Sequence, residues 1–232
     1  MRLPKITASL VALVAANLVP LVGVLLLGWD AAMIVLLYWT ENVVVGFYNV
    51  LRLILVKADK PIVHLGKLFM IPFFCIHFGG FCAGHGFFLL VFFKLGGGVG
   101  EFFPEPTWPL HLVFVQLLIA VITRLWEHHP PGMEWPVLAL FVSHGVSFVQ
   151  NFLLGGEYRT LTVQKLMARP YTRIVILHVA IIAAAMPVMV LGSPVPLLCI
   201  LVLLKIGVDL WLHVKSHTPA PAKTDKPDDA AV

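Results

Sequence analysis

The chain has 232 residues, of which 59% are hydrophobic and 12% charged, with a formal net charge of +4 and a mean hydropathy of +0.94. Soluble domains average roughly 25% charged residues, so an ordinary water-exposed globule is excluded, and the composition predicts an all-α, polytopic transmembrane helix bundle. The small net charge sits in the loops and tail, which suits anionic lipid headgroups as partners better than a nucleic acid, which would call for a basic patch on a folded face.

A spanning helix needs about 20 mostly apolar residues. In chain order the candidate segments are 6–28, 30–56, 68–94, 110–126, 136–155, 171–191 and 195–214. They predict about seven spans within a single transmembrane domain over residues 1–215. The first segment is longer than the 7–15 residues of a signal-peptide apolar region, so it reads as a retained helix. Gly28-Trp29-Asp30, the basic loop from Lys57 to Lys67, the glycine- and proline-rich stretch from Gly96 to Pro109, His128 to Gly132, and Gly192-Ser193-Pro194 punctuate the spans. The polar segment from Gly155 to Pro170 reads as interfacial, and residues 216–232 as a disordered polar tail.

Seven spans divide the basic residues almost evenly, with seven (Arg2, Lys5, Arg52, Lys57, Lys60, Lys67, Arg124) on one side and eight on the other. That division gives no orientation by the positive-inside rule. The alternative makes segment 110–126 re-entrant and leaves six spans, which brings both basic loops to the cytoplasmic face. The six tryptophans mostly lie near predicted helix ends, as interfacial aromatics do, with Trp39 well inside its helix as the exception.

Ionisable groups in hydrocarbon cost at least about 2.5–3.5 kcal/mol each on insertion scales and normally face the bundle interior. Here they recur in five of the predicted helices. The second carries Glu41 and Asn42 near its midpoint, with Val45 and Asn49 on the Glu41 face. Such a Glu is protonated, paired with a cation, or bound to a metal. The third carries His77 and His85, eight residues and about 12 Å apart in depth. Gly80 and Gly84 lie between them as a small-xxx-small pair that lets a backbone or a flat cofactor come close. The fifth carries Ser143, His144, Ser147 and Asn151, the sixth Arg173 and His178, and the seventh Lys205, Asp209 and His213. In the seven-span arrangement His85, Asn151, His178, Asp209 and His213 fall toward one face, with Glu41 and His144 nearer the middle, and this predicts a shared polar site. His64, His111, His128, His129 and His217 read as solvated or interfacial. The three cysteines, Cys75, Cys82 and Cys199, lie in apolar runs without a C-x-x-C pair and read as packing residues.

Imidazoles with carboxylates suit zinc, copper or iron, and an ion's charge offsets the cost of burying the carboxylates. A zinc ion on His85, His178 and His213 could support hydrolysis of a lipid-soluble substrate. Asp209 competes there as a ligand or general base with Glu41, and Ser143 or Ser147 would hold a reaction oxygen. A ladder of His, Asp and Glu at staggered depths instead suits a proton- or ion-coupled transporter. Histidines from two helices suit b-type haem, and His77 and His144 are further candidates for holding a cofactor. A structural membrane protein, whose polar residues join helices only, is the remaining reading. No phosphate-cradling loop is present, because Gly96 to Gly100 lacks the Lys-Ser/Thr that a P-loop requires.

Trp39-Thr40-Glu41-Asn42, Ser143-His144, Arg173 to His178 and Lys205 to His213 resemble the pattern of an uncharacterised family of bacterial integral membrane proteins with a Trp-x-Glu-Asn signature. The resemblance spans most of residues 6–215. It implies a bacterial inner-membrane protein and assigns no activity. In architecture the chain also resembles the superfamily of alkaline ceramidases and progestin-adipoQ receptors, seven-helix proteins with a histidine-bound intramembrane zinc. Those proteins pair histidines four apart in the last helix, where this chain has Asp209 and His213.

Overall fold

The structure, a computed structural model, describes residues 8–57, 61–95, 108–109 and 112–217, with side chains described except at 8–16, 61, 209 and 211–217. The expected tail from residue 218 onward and His111 lie outside the described residues.

All regular structure among the described residues is helical: α1 (Ala8–Leu27), α2 (Ala31–Leu55), α3 (Pro61–Phe92), α4 (Val113–Glu127), α5 (Glu134–Ser147) continued by a π-helical turn (Phe148–Leu154), the short α6 (Glu157–Thr160) and α7 (Val163–Ala168), α8 (Tyr171–Leu191) and α9 (Val195–His217). Four stretches are long and apolar enough to cross a membrane, Ala31–Leu55, Ile62–Phe92, Glu134–Leu154 and Val163–Leu191. The described apolar stretches of α1 and α9 are shorter, Asn17–Leu27 and Val195–Val208. The protein is therefore a helical membrane protein. The third helix starts at Pro61, seven residues before its apolar run at 68, because the basic loop read from Lys57 to Lys67 is itself mostly wound into helix.

Local chemistry explains the helix ends. The Asp30 carboxylate accepts from the Ala32 and Met33 amides and caps α2, satisfying donors that a helix start leaves open. Gly28 and Gly192 sit at φ +71° and +60°, in the left-handed region that favours glycine, and let the chain turn out of α1 and α8. At the end of α2, the buried Lys67 ammonium donates to the carbonyls of Ile54 and Val56. A lysine near the start of α3 is thereby stabilised by the free carbonyls and the dipole at the end of α2.

Two buried clusters hold the helices. One joins the first half of α2 (Val35, Leu36, Trp39) to Leu89 and Leu90 of α3, Val121 and Leu125 of α4, the middle of α8 and Leu197 to Val202 of α9. The other joins the second half of α2 (Tyr48, Leu53) to Phe74 and Phe78 of α3, Phe148 and Phe152 of the π turn, and α7. Trp39, the tryptophan expected to lie away from the interface, is 3% exposed and donates its indole N–H to the Cys82 carbonyl at 2.8 Å.

Helix directions follow from these contacts. α3 runs against α2, since Phe78 lies on Gly46 and Trp39 on Gly86. α5 runs with α2: the Tyr48 hydroxyl donates to the Phe141 carbonyl, and Arg52 lies over the Phe148 ring. α8 runs against α2, with the Asn49 amide donating to the Leu166 carbonyl just before α8 begins. α4 advances in the same direction as α3. Phe114 and Leu118 meet Gly80 and Gly79 in the middle of α3, and Val121 meets Gly86 nearer its end. A simple antiparallel crossing after α3 would reverse that order.

Candidate functional site

The polar residues expected at one site divide between two. The physical reason lies in α8, which supplies both centres. Arg173 and His178 are five residues apart, hence rotated by about 140° around the helix, and they cannot face one cavity.

The first centre lies between α2, α5 and α8. The Glu41 Oε1 atom is 2.6 Å from Arg173 Nη1 and 3.5 Å from His144 Nε2. Glu41 is thus paired with a cation, one of the three states expected for a carboxylate at that position. Its side chain is 18% exposed, against 44% for Arg173. On one side of Glu41 a cavity of about 400 Å³ is bounded by Tyr38, Asn42, Arg169, Arg173 and Lys205, among others. On its other side a cavity of about 480 Å³ is bounded by Trp29, Tyr38, Pro136, Leu140 and Ser143. Glu41 and Tyr38 line both. The first cavity lies toward the start of α8 and the second toward the starts of α2 and α5, so they approach the carboxylate from opposite ends of the bundle. Ser143 is exposed on the second cavity, and no hydrogen bond joins it to Glu41.

The described lining of the first cavity carries three cations, Arg169, Arg173 and Lys205, against one carboxylate, Glu41. Lys205 lies with its ammonium 5.1 Å from the centre of the Tyr38 ring, a cation–π geometry. Asn42, 6% exposed, donates its amide to the Tyr38 carbonyl, while its buried Oδ1 has no partner among the described residues. Lys205 belongs to α9. The helix carries both Asp209 and His213, but their side chains lie outside the described residues.

The second centre lies between α3, α4 and α8. His85 Nε2 and His178 Nδ1 are 2.8 Å apart, with ring centres at 5.0 Å. These two of the three expected zinc ligands do meet, yet they bond each other, so neither of those nitrogens is free to hold a metal or a haem iron between the rings. With His77 they form the polar part of an otherwise apolar cavity of about 720 Å³ that includes Phe81, Gly84, Phe88 and Phe114. His77 lines the same cavity, where its Nδ1 lies 2.8 Å from the Tyr171 hydroxyl.

Among the described residues no three His, Cys, Asp or Glu side chains come together as a metal-holding group. The single shared site is corrected by helix direction. His85 lies in the half of α3 that ends beside the start of α2. Asn151, whose amide donates to the Ser147 hydroxyl at 3.1 Å, lies beyond the end of α5, beside the far end of α2. His144 joins Glu41, and His85 joins His178. Cys75 and Cys199 are half-buried and Cys82 buried, and all three are free.

Sequence reasoning left Arg173 without a role. The usable signal was an arginine in the first turn of an apolar helix together with a glutamate at mid-helix elsewhere, since each is costly in hydrocarbon and relieves the other. Tyr38 and Tyr171 carried no comparable signal, because tyrosine is unremarked in an apolar run.

No curated protein and no solved structure matches the chain. One family model, Family of unknown function (DUF6498), matches residues 1–226. The chain belongs to that family.

Proposed function

We propose that the protein is a multi-pass carrier of the bacterial inner membrane that couples the movement of a small anion to protonation of Glu41. The single observation that carries this reading is that Glu41 borders two cavities approaching it from opposite ends while holding Arg173 in an ion pair. A carboxylate in that position can take its proton from either side. When it is neutral, the guanidinium of Arg173 loses its internal anion and attracts another. The excess of two positive charges in the described lining of the 400 Å³ cavity favours an anionic solute. His144, at 3.5 Å from the carboxylate, is a second proton acceptor within reach.

The topology that supports this reading has six spans, formed by α1, α2, α3, α5 with its π turn, the α7–α8 stretch, and α9. The α4 helix then starts at mid-depth beside Gly80 and returns to the end where α3 stops. Thirteen of the sixteen basic residues then fall at one end, in the N-terminus, the 52–67 region, the 159–173 segment and the tail. Lys94 and Arg124 fall at the other, and Lys205 lies within α9. The positive-inside rule makes the first end cytoplasmic, and the 400 Å³ cavity opens toward it.

The test is flux into proteoliposomes loaded with a pH-sensitive dye, using inward gradients of succinate, citrate, inorganic phosphate and sulfate in turn. Internal acidification that follows at least one of these gradients, and that falls at least about tenfold in Glu41→Gln, supports the carrier. Acidification equal in Glu41→Gln, or none with any of the four anions, rejects it.

A further inference from the structure

We propose that the cavity between α3, α4 and α8 binds a lipid-soluble quinone, with a ring carbonyl accepting a hydrogen bond from His178 Nε2. This site shares no residue with the Glu41 centre, and the inference stands or falls independently of the carrier reading.

The argument begins with the proton that His85 and His178 share. His85 is 4% exposed, and its Nδ1 is buried without a partner among the described residues. Were His178 the donor in the bond between the rings, neutral His85 would carry its hydrogen on Nδ1 as a buried, unpaired N–H. An orphaned donor is rarer in folded proteins than an under-used acceptor. The favoured arrangement therefore has His85 Nε2–H donating to His178 Nδ1. Neutral His178 then carries its own hydrogen on Nε2, which has no protein partner among the described residues, and the side chain is exposed on the cavity. The cavity thus presents a fixed N–H donor, oriented from behind by His85. In a water-poor setting that donor calls for a ligand with an acceptor oxygen.

The walls set the rest of the ligand. They are almost wholly apolar, with the rings of Phe81, Phe88 and Phe114 partly exposed to the space. Aromatic faces receive flat rings by offset or edge packing. The volume of about 720 Å³ falls within the range of small-molecule sites, about 300–1,000 Å³, and has the usual make-up of an apolar lining with few polar groups.

Gly84 is the third observation. A glycine in a helix interior is destabilising relative to alanine, and helix packing can compensate. Gly80 and Gly86 have that compensation, from Phe114 and from Trp39 with Val121. A Cβ at Gly84, which lines the cavity, would meet nothing within 4 Å. What glycine preserves there is room. A flat ring carrying carbonyl oxygens and an apolar tail satisfies the donor, the aromatic walls and this gap together.

The test is a titration of the full-length protein in phospholipid nanodiscs with decylubiquinone, read by quenching of tryptophan fluorescence. Decylbenzene serves as a tailed ring without carbonyls, competing against it. Saturable quenching is expected, with decylbenzene binding about tenfold more weakly, the effect of one lost hydrogen bond. His178→Leu is expected to remove that preference, and Gly84→Leu to weaken both compounds at least about tenfold by filling the space. Gly84 faces open space, so Gly84→Leu is expected to keep the helical circular dichroism of the parent and a melting temperature no lower. His178→Leu leaves the buried His85 donor unpaired and is expected to keep the helical circular dichroism with a lowered melting temperature. Equal binding of the two compounds to the parent protein, absence of saturable quenching, or undiminished binding in Gly84→Leu would overturn the proposal.

Discussion

Glu41 of α2 and Arg173 of α8 meet at 2.6 Å between oxygen and nitrogen, and His144 of α5 approaches the same oxygen at 3.5 Å. Three helices that are distant in sequence are thereby tied at one carboxylate. The two partners are unequally placed, because Arg173 is 44% exposed and Glu41 only 18%.

That inequality predicts an asymmetric response to mutation. Glu41→Gln frees a guanidinium that can turn toward headgroups or water, and a loss of about 1–2 kcal/mol is expected, below the about 3–5 kcal/mol of a fully buried pair. Arg173→Gln leaves the less exposed carboxylate with His144 alone and is expected to cost more. The double variant should be more stable than the sum of the single losses implies. Unfolding in mixed micelles measures all four states. Simple additivity would mean that the pair contributes no coupling.

The glycines of α3 predict opposite outcomes two residues apart, on opposite faces of the helix. A Cβ at Gly86 would lie 2.5 Å from Val121 Cγ1 and 2.7 Å from Trp39 Cζ2, so Gly86→Ala must displace a buried indole that is hydrogen-bonded to Cys82. The expected loss is about 1–3 kcal/mol. Gly84→Ala meets open space and is expected to stabilise by about 0.5–1 kcal/mol. Paired melting curves in detergent decide the matter. A stable Gly86→Ala variant would contradict the close packing of α2, α3 and α4.

Six spans with α4 returning to the side it came from predict that both chain termini face the cytoplasm, while the connections near Lys94 and His128 face outward. Reporter fusions that are active on one side of the membrane only, placed at residues 60, 100, 130 and 225, check this. Sites 60 and 225 are expected to report cytoplasm and sites 100 and 130 the opposite side. Seven consecutive crossings would put 60 and 225 on opposite sides.

Much of the bundle is legible in the linear chain. Uninterrupted apolar length, with Gly28, Gly192 and the Asp30 cap at the breaks, marks α2, α8 and the ends of their neighbours, because hydrocarbon forces every backbone polar group into a helix of its own. The presence of ionisable groups within apolar helices at 41, 85, 144 and 178 is equally legible, since each departs from its apolar neighbours in sequence. The partners of those groups are not. Whether Glu41 finds Arg173 or a metal, and whether His85 finds His178 or Asp209, depends on which helix faces which and in what direction. A turn of sequence can tell only that a face is polar.

The sequence by itself determined a helical membrane protein with expensive polar groups inside it, because hydrophobicity and helix length are properties of contiguous residues. Only the tertiary structure decided that these groups form two centres. The 140° between Arg173 and His178 becomes a separation of sites because Arg173 meets Glu41 of α2 while His178 meets His85 of α3. The direction of α4 was likewise a tertiary outcome, set by the seating of Phe114 and Val121 against the glycines of α3.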